Sequence, residues 1–205
     1  MLLESQKRDK ACIIYNNEPL ECVESFKYLG LEVPSNHRWN ECAARCLEAG
    51  KRAYYAFENT CDRGDIKCWV LKKYLFDTLV TPVLLYGVEV WGGSIPNSTW
   101  KEFEHVQIHF LIKFTQVKKQ TTYTLLLLET GSLPIEITTM ERVVKYMLKV
   151  QKCPSLQLPR IAWKASKKIQ NTHKTKMLCS SWMQDMEKWD TTHLIHDTSL
   201  DFSVS

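Results

Sequence analysis

The stretch Phe26-Lys27-Tyr28-Leu29-Gly30-Leu31-Glu32-Val33 decides how the rest of the chain is read. Its alternation predicts β structure, with Phe26 and Tyr28 on one face and Leu29, Leu31 and Val33 following on the other. Pro34 ends the run because it has no N–H to give to a ladder. Working upstream, Cys12-Ile13-Ile14-Tyr15 is β-prone. Asn16-Asn17 tolerates positive φ and can close a tight hairpin turn, with Leu20 to Val23 as the expected return strand.

Downstream the period changes to that of helices. Trp39, Cys42, Cys46, Ala49, Ala53, Ala56 and Phe57 recur at three- and four-residue spacing, which predicts a helix over about 36–59 with a small-residue middle that a neighbour can approach closely. Gly64 is the expected stop and Asp65 the expected cap of the next helix. That helix, over about 65–91, is apolar on most sides and belongs in the centre of a bundle, and Pro82 should kink or split it. Gly92-Gly93-Ser94-Ile95-Pro96 is a break. A helix over 98–117 follows, with Trp100, Phe103, Val106, Phe110, Phe114 and Val117 inward. After it come a short piece over 123–129 stopped by Gly131 and a helix led by Pro134 to about Lys152. The stripe of that last helix is Ile137, Met140, Val144, Met147 and Leu148. Short helices are expected over 159–169 and 176–189, with a frayed end beyond. The fold class is thus mainly α (α+β). A small N-terminal β unit over 1–35 precedes a multi-helix bundle over 36–153, and a basic, weakly patterned extension occupies 154–205.

Charge is distributed unevenly. The net charge of +4 is modest, but no Asp or Glu occurs between Arg142 and Gln184, a stretch with Lys145, Lys149, Lys152, Arg160, Lys164, Lys167, Lys168, Lys174 and Lys176. A one-sign segment sets up a positive field that draws polyanions. The first residues, Met1 to Asp9, hold no apolar run of the secretory kind. The greasiest stretch, Leu79 to Val88, is too short to span a bilayer and contains Pro82. The expectation is an intracellular chain, nuclear or cytoplasmic, with its eight cysteines as reduced thiols.

Motifs that carry chemistry are missing. There is no G-x-S-x-G, no P-loop and no G-x-G-x-x-G. Cys42 and Cys46, with His37 nearby, lack the second knuckle of a zinc site and read as core packing. Glu102, His105 and His109 share a helix face but are not ordered as H-E-x-x-H, and read as a solvated polar face. Two-metal phosphoryl transfer needs closely placed carboxylates, and Asp62 and Asp65 around Gly64 cap helices instead. No metal, cofactor or small-molecule ligand is expected.

Three blocks carry a family resemblance: Leu20-Glu21-Cys22-Val23-Glu24-Ser25-Phe26-Lys27-Tyr28-Leu29-Gly30, then Ala49-Gly50-Lys51-Arg52-Ala53, then Pro82-Val83-Leu84-Leu85-Tyr86-Gly87-Val88-Glu89-Val90-Trp91. In this order, with Leu133-Pro134-Ile135 after them, they resemble the C-terminal part of a non-LTR (LINE-type) retrotransposon reverse transcriptase, over roughly 11–153. The first block is similar to the primer-grip hairpin at the end of the palm, the others to the helical thumb. The resemblance implies a primer-grip role for Phe26, Lys27, Tyr28, Leu29 and Gly30, with packing the main role of Leu29 and close backbone approach that of Gly30. It implies phosphate contacts for Lys51, Arg52, Lys72 and Lys73, which would position an RNA or DNA duplex without reading its sequence. The family's catalytic aspartates have no counterparts here, since no aromatic-x-Asp-Asp occurs in the chain. The expectation is therefore a truncated, non-catalytic remnant of an RNA-directed DNA polymerase with non-specific nucleic-acid affinity. The alternatives are a helical protein-interaction module, or the tail of a polymerase whose catalytic half is a separate upstream segment. Truncation also predicts exposed apolar side chains near Phe26 and Tyr28.

Overall fold

The structure, a computed structural model, describes residues 14–21, 23–36 and 38–172, with the side chains of Ser94 and 166–172 left aside. Cys12, Ile13, Cys22, His37 and the expected helix over 176–189 lie outside the described residues. The described chain is mainly helical, with two small antiparallel strand pairs at its N-terminal end. Among the described residues no helix is long and apolar enough to cross a membrane.

The first pair is β1 (Ile14–Tyr15) with β2 (Glu18–Pro19), in the register Ile14 opposite Pro19 and Tyr15 opposite Glu18. Asn16 and Asn17 both take positive φ, at 51° and 64°, as a two-residue primed turn requires. A turn that tight pairs the residues immediately after it. The return strand is therefore Glu18–Pro19, not Leu20 to Val23.

The run from Phe26 to Val33 is itself a hairpin. Strand β3 (Ser25–Tyr28) pairs with β4 (Leu31–Pro34), Phe26 opposite Val33 and Tyr28 opposite Leu31. Leu29 (φ 46°) and Gly30 (φ 87°) make the turn. Because the chain reverses there, Leu31 and Val33 share a face with Phe26 and Tyr28, where simple alternation along one strand had placed them opposite. Strand β4 is half-buried along its length, whereas β3 is exposed apart from Ser25.

The described residues fall into two compact units: 14–87 with 94–106, and 88–93 with 107–172. In the first, helix α1 (Asn40–Arg63) starts four residues later than the sequence suggests and runs four further. Its buried face is Cys42, Ala43, Cys46, Leu47, Gly50, Tyr54, Phe57 and Cys61, while Ala56 is exposed. At its end Gly64 keeps φ at −82°, and Asp65 takes the left-handed turn at φ 46° instead of capping the next helix. Asp65 pairs with Lys67 at 3.0 Å.

The expected helix over 65–91 is broken into pieces. Helix α2 (Trp69–Leu75) passes into a π segment (Phe76–Val80), α3 (Thr81–Leu84), a turn, and α4 (Val88–Trp91). Pro82 has no N–H for the carbonyl four residues back, and the wider π turn ahead of it accommodates the missing bond. Thr78 Oγ1 also donates to the Tyr74 carbonyl at 2.8 Å, a bond that bends helices. The segment is not buried all round: α2 buries no side chain, and Trp69, Val70, Leu71, Tyr74, Leu79 and Val83 are exposed. Its inner side is Phe76, Val80, Leu84 and Leu85, and Phe76 sets its ring edge-on to Tyr54 and Phe57 at 6.2 and 6.1 Å.

Helix α5 (Asn97–Thr115) gives residues 97–106 to the first unit and the rest to the second. Phe103, Val106, Phe110 and Leu111 are buried, and Val117 is exposed. In the second unit, α6 (Tyr123–Thr130) stops at Gly131 with φ 59°, as expected. Helix α7 (Ile135–Lys152) follows Pro134 and buries Ile135, Thr139, Val143, Val144, Met147 and Val150; of the expected stripe Val144 and Met147 are buried, Met140 and Leu148 pack partly buried beside them, and Ile137 is exposed. Trp163 of α8 (Leu158–Thr172) packs on the Val143, Val144 and Met147 cluster. Arg160 donates to the carbonyls of Gln151 and Cys153 at 2.6 Å each, satisfying the end of α7.

The tightest packing is at Gly50, where a Cβ would lie 2.3 Å from Leu84 Cδ1 and 3.0 Å from Leu84 Cα. Gly50→Ala gains about 1 kcal/mol of helix propensity. It must also force α1 away from the α3 backbone, an overpacking cost of about 1–3 kcal/mol. We expect a net loss, read as a lower urea midpoint at unchanged slope. A midpoint at or above wild type would contradict the close approach.

Candidate functional site

The site grows from the turn of the second hairpin. Leu29 and Gly30 both have left-handed backbones, which leaves the Leu29 carbonyl facing outward from the turn. The Tyr86 hydroxyl donates to it at 2.6 Å. Gly30 lies over the Tyr86 ring, where a Cβ would sit 3.4 Å from Cε1. Next in sequence, Gly87 (φ 64°) has no room for a Cβ because Leu31 Cδ1 would be 2.5 Å away. The Tyr-Leu-Gly and Tyr-Gly segments, nearly sixty residues apart, are thus fitted to each other, glycine under ring and leucine over glycine.

The base of the hairpin is held by charge. Glu32, its side chain 12% exposed, accepts from Ser25 Oγ at 2.6 Å and pairs with Arg45 of α1 at 3.1 Å. A cleft of ≈ 370 Å³ opens between hairpin, α1 and the α3 end, lined by Gly30, Glu32, Cys42, Arg45, Cys46 and Tyr86 among others. Cys46 has one proton to give. It donates to the Tyr86 carbonyl at 3.6 Å, and it can turn to Cys42 when that thiol ionises. The bond from Cys46 lowers Cys42 to about 7 against the opposing effect of burial. As the donor, and buried, Cys46 is pushed well above the ordinary thiol range.

The anticipated primer-grip residues form the outer edge of this unit. Phe26 is 41% exposed, Tyr28 60% and Leu29 74%. Lys27 and Gly30 are exposed as well. The packing expected of the Leu29 side chain is absent, and its carbonyl makes the contact instead. The close approach expected at Gly30 is made by this chain's own Tyr86.

Three of the four anticipated thumb cations are paired with carboxylates. Lys51 pairs with Glu102 at 3.7 Å, Arg52 with Glu48 at 3.5 Å, and Lys73 with Asp77 at 2.7 Å. Lys72 is half-buried, within electrostatic reach of Cys61. In the basic stretch, Lys145 pairs with Glu141 at 2.6 Å, and Arg160 is committed to α7.

Among the described residues no group of three or more His, Cys, Asp or Glu side chains gathers to hold a metal ion. Sequence reasoning gave no bracing role to Glu32, Arg45, Arg160 or Tyr86, although Tyr86 and Gly87 stand in the third block of the resemblance. No protein-family model, curated protein or solved structure matches the chain.

Tyr86→Phe removes one exposed neutral hydrogen bond, worth about 0.5–1 kcal/mol. The loss should fall on the hairpin: amide exchange across 25–34 should accelerate while α1 amides keep their protection. Equal acceleration in α1 would show that the hairpin is not separately anchored there.

Proposed function

We propose that this chain carries the palm-end and thumb-like part of a LINE-type reverse transcriptase and holds an RNA or DNA duplex by its backbone. The observation that carries the reading is that the three sequence blocks of the resemblance meet in space. Gly30 lies on Tyr86, Leu31 on Gly87, and Gly50 on Leu84. Beyond that junction β3 presents Phe26, Lys27 and Tyr28 to solvent. A hairpin braced from behind with an aromatic and cationic outer edge suits a strand end: rings stack on bases and the ammonium meets phosphate.

A second reading, a helical protein-interaction module, is favoured by the exposed Trp69, Val70, Leu71 and Tyr74 of α2. Salt separates the two. Duplex binding by the first reading weakens linearly in log K against log salt, by about 0.9 per phosphate neutralised, with little sequence preference. Fluorescence anisotropy with an RNA–DNA hybrid measures this directly. Lys27→Ala should weaken binding uniformly across sequences and flatten the slope by about one. Absence of binding at low salt, or a slope near zero, would sink the proposal.

A further inference from the structure

We propose that Cys42 and Cys46 form a two-coordinate site for a soft, thiophilic cation of the copper(I) class. This goes beyond the nucleic-acid reading and does not depend on it. The two cysteines stand one turn apart on α1, are 3% and 8% exposed, and line the same cleft behind the hairpin. Residues four apart share one face of a helix, and both side chains reach the cleft.

Three considerations select the ligand. Helix neighbours four apart hold their Cβ atoms about 5–6 Å apart. A disulfide needs about 3.5–4.5 Å, so closing one would distort α1. An ion placed between the sulfurs spans the wider gap without moving the helix. Second, the nearest carboxylate, Glu32, is already engaged by Ser25 and Arg45, and no cluster of three or more metal-ligating side chains occurs among the described residues. Zinc, which takes four ligands in structural sites, is poorly served. Copper(I) is a soft ion selected by thiolates, and it is satisfied by two of them. Third, binding replaces two S–H protons by one monovalent cation. Two protons leave, no electron is transferred, and the bound group carries one negative charge. Arg45 and Glu32 line the same cleft as an ion pair, so the charged groups there nearly cancel.

The test uses the full chain under anaerobic, reducing conditions, with Cu(I) titrated against a chromogenic chelator. Wild type should take up about one equivalent more than the Cys42→Ala, Cys46→Ala double variant, while Zn(II) uptake should be the same for both. Equal Cu(I) uptake by the two chains, or a difference seen with Zn(II) instead, overturns the proposal. A second measurement on wild type needs no variant. Phenylarsenic(III) oxide condenses with two neighbouring thiols, forming two As–S bonds and releasing one water. Cleavage after Glu41 and Glu48 yields a peptide, 42–48, that holds both sulfurs and no other cysteine. The adduct formed on the native chain should be found on that peptide. Its absence there means the sulfurs cannot chelate one centre, and the site does not exist.

Discussion

The hydrogen bond from the Tyr86 hydroxyl to the Leu29 carbonyl fixes the position of the hairpin against the helices. By itself such a bond is worth only about 1 kcal/mol. Its importance comes from the steric fit around it. Gly87 makes room for Leu31 and Gly50 for Leu84, while Gly30 lies in ordinary contact with the Tyr86 ring. At Gly50 an added carbon would meet the Leu84 backbone and force the elements apart, and at Gly87 it would force the Leu31 side chain to move. At Gly30 and Gly87 a positive φ is itself a reason for glycine. The π segment before Pro82 belongs to the same design, since it carries the helix into the turn that holds Tyr86.

Electrostatics divides between the strands of the hairpin. On β4 Glu32 is held by Ser25 and Arg45 with little exposure. Lys27, the cross-strand partner of Glu32, is exposed on the same face, opposite to that of Phe26 and Tyr28. Arg52 of α1 and Lys73 of α2 are matched to carboxylates one turn away, and Lys51 of α1 to Glu102 of α5. Exposed pairs of that kind contribute about 0–1 kcal/mol each, so a phosphate can displace the carboxylate at little cost. Pairing therefore lowers the contribution of Lys51, Arg52 and Lys73 to any duplex interface without removing them from it.

The first hairpin turn was legible because turn chemistry is local. Asn16-Asn17 announces itself within a few residues, and Gly131 stops α6 where a left-handed glycine should, whereas the Leu29-Gly30 turn was read through as strand. Strand direction was harder. Period-two alternation looks the same in one long strand as in two short ones, so the faces of Leu31 and Val33 were assigned wrongly. Helix faces failed where packing overrode hydrophobicity. Trp69, Val70, Leu71 and Tyr74 look like core residues, yet α2 buries none of them. The close approach of Leu84 to Gly50, by contrast, falls in the small-residue middle of α1 where a neighbour was expected. The roles of Tyr86 and Arg160 depend on partners far along the chain or on a carbonyl, and neither leaves a mark in residue spacing. The anticipated edge of the site, Phe26 to Gly30, was legible as a segment, but the groups that brace it were not.

The central claim is that the braced outer edge of the second hairpin is the surface that meets nucleic acid. The most direct measurement is an amide-resolved NMR titration of the isotopically labelled chain with an RNA–DNA hybrid. Shifts concentrated on Phe26, Lys27, Tyr28 and Leu29, with Tyr86 and Gly87 following, are the predicted result. Shifts confined to the α2 face around Trp69 and Tyr74, or none at saturating hybrid, would contradict the account.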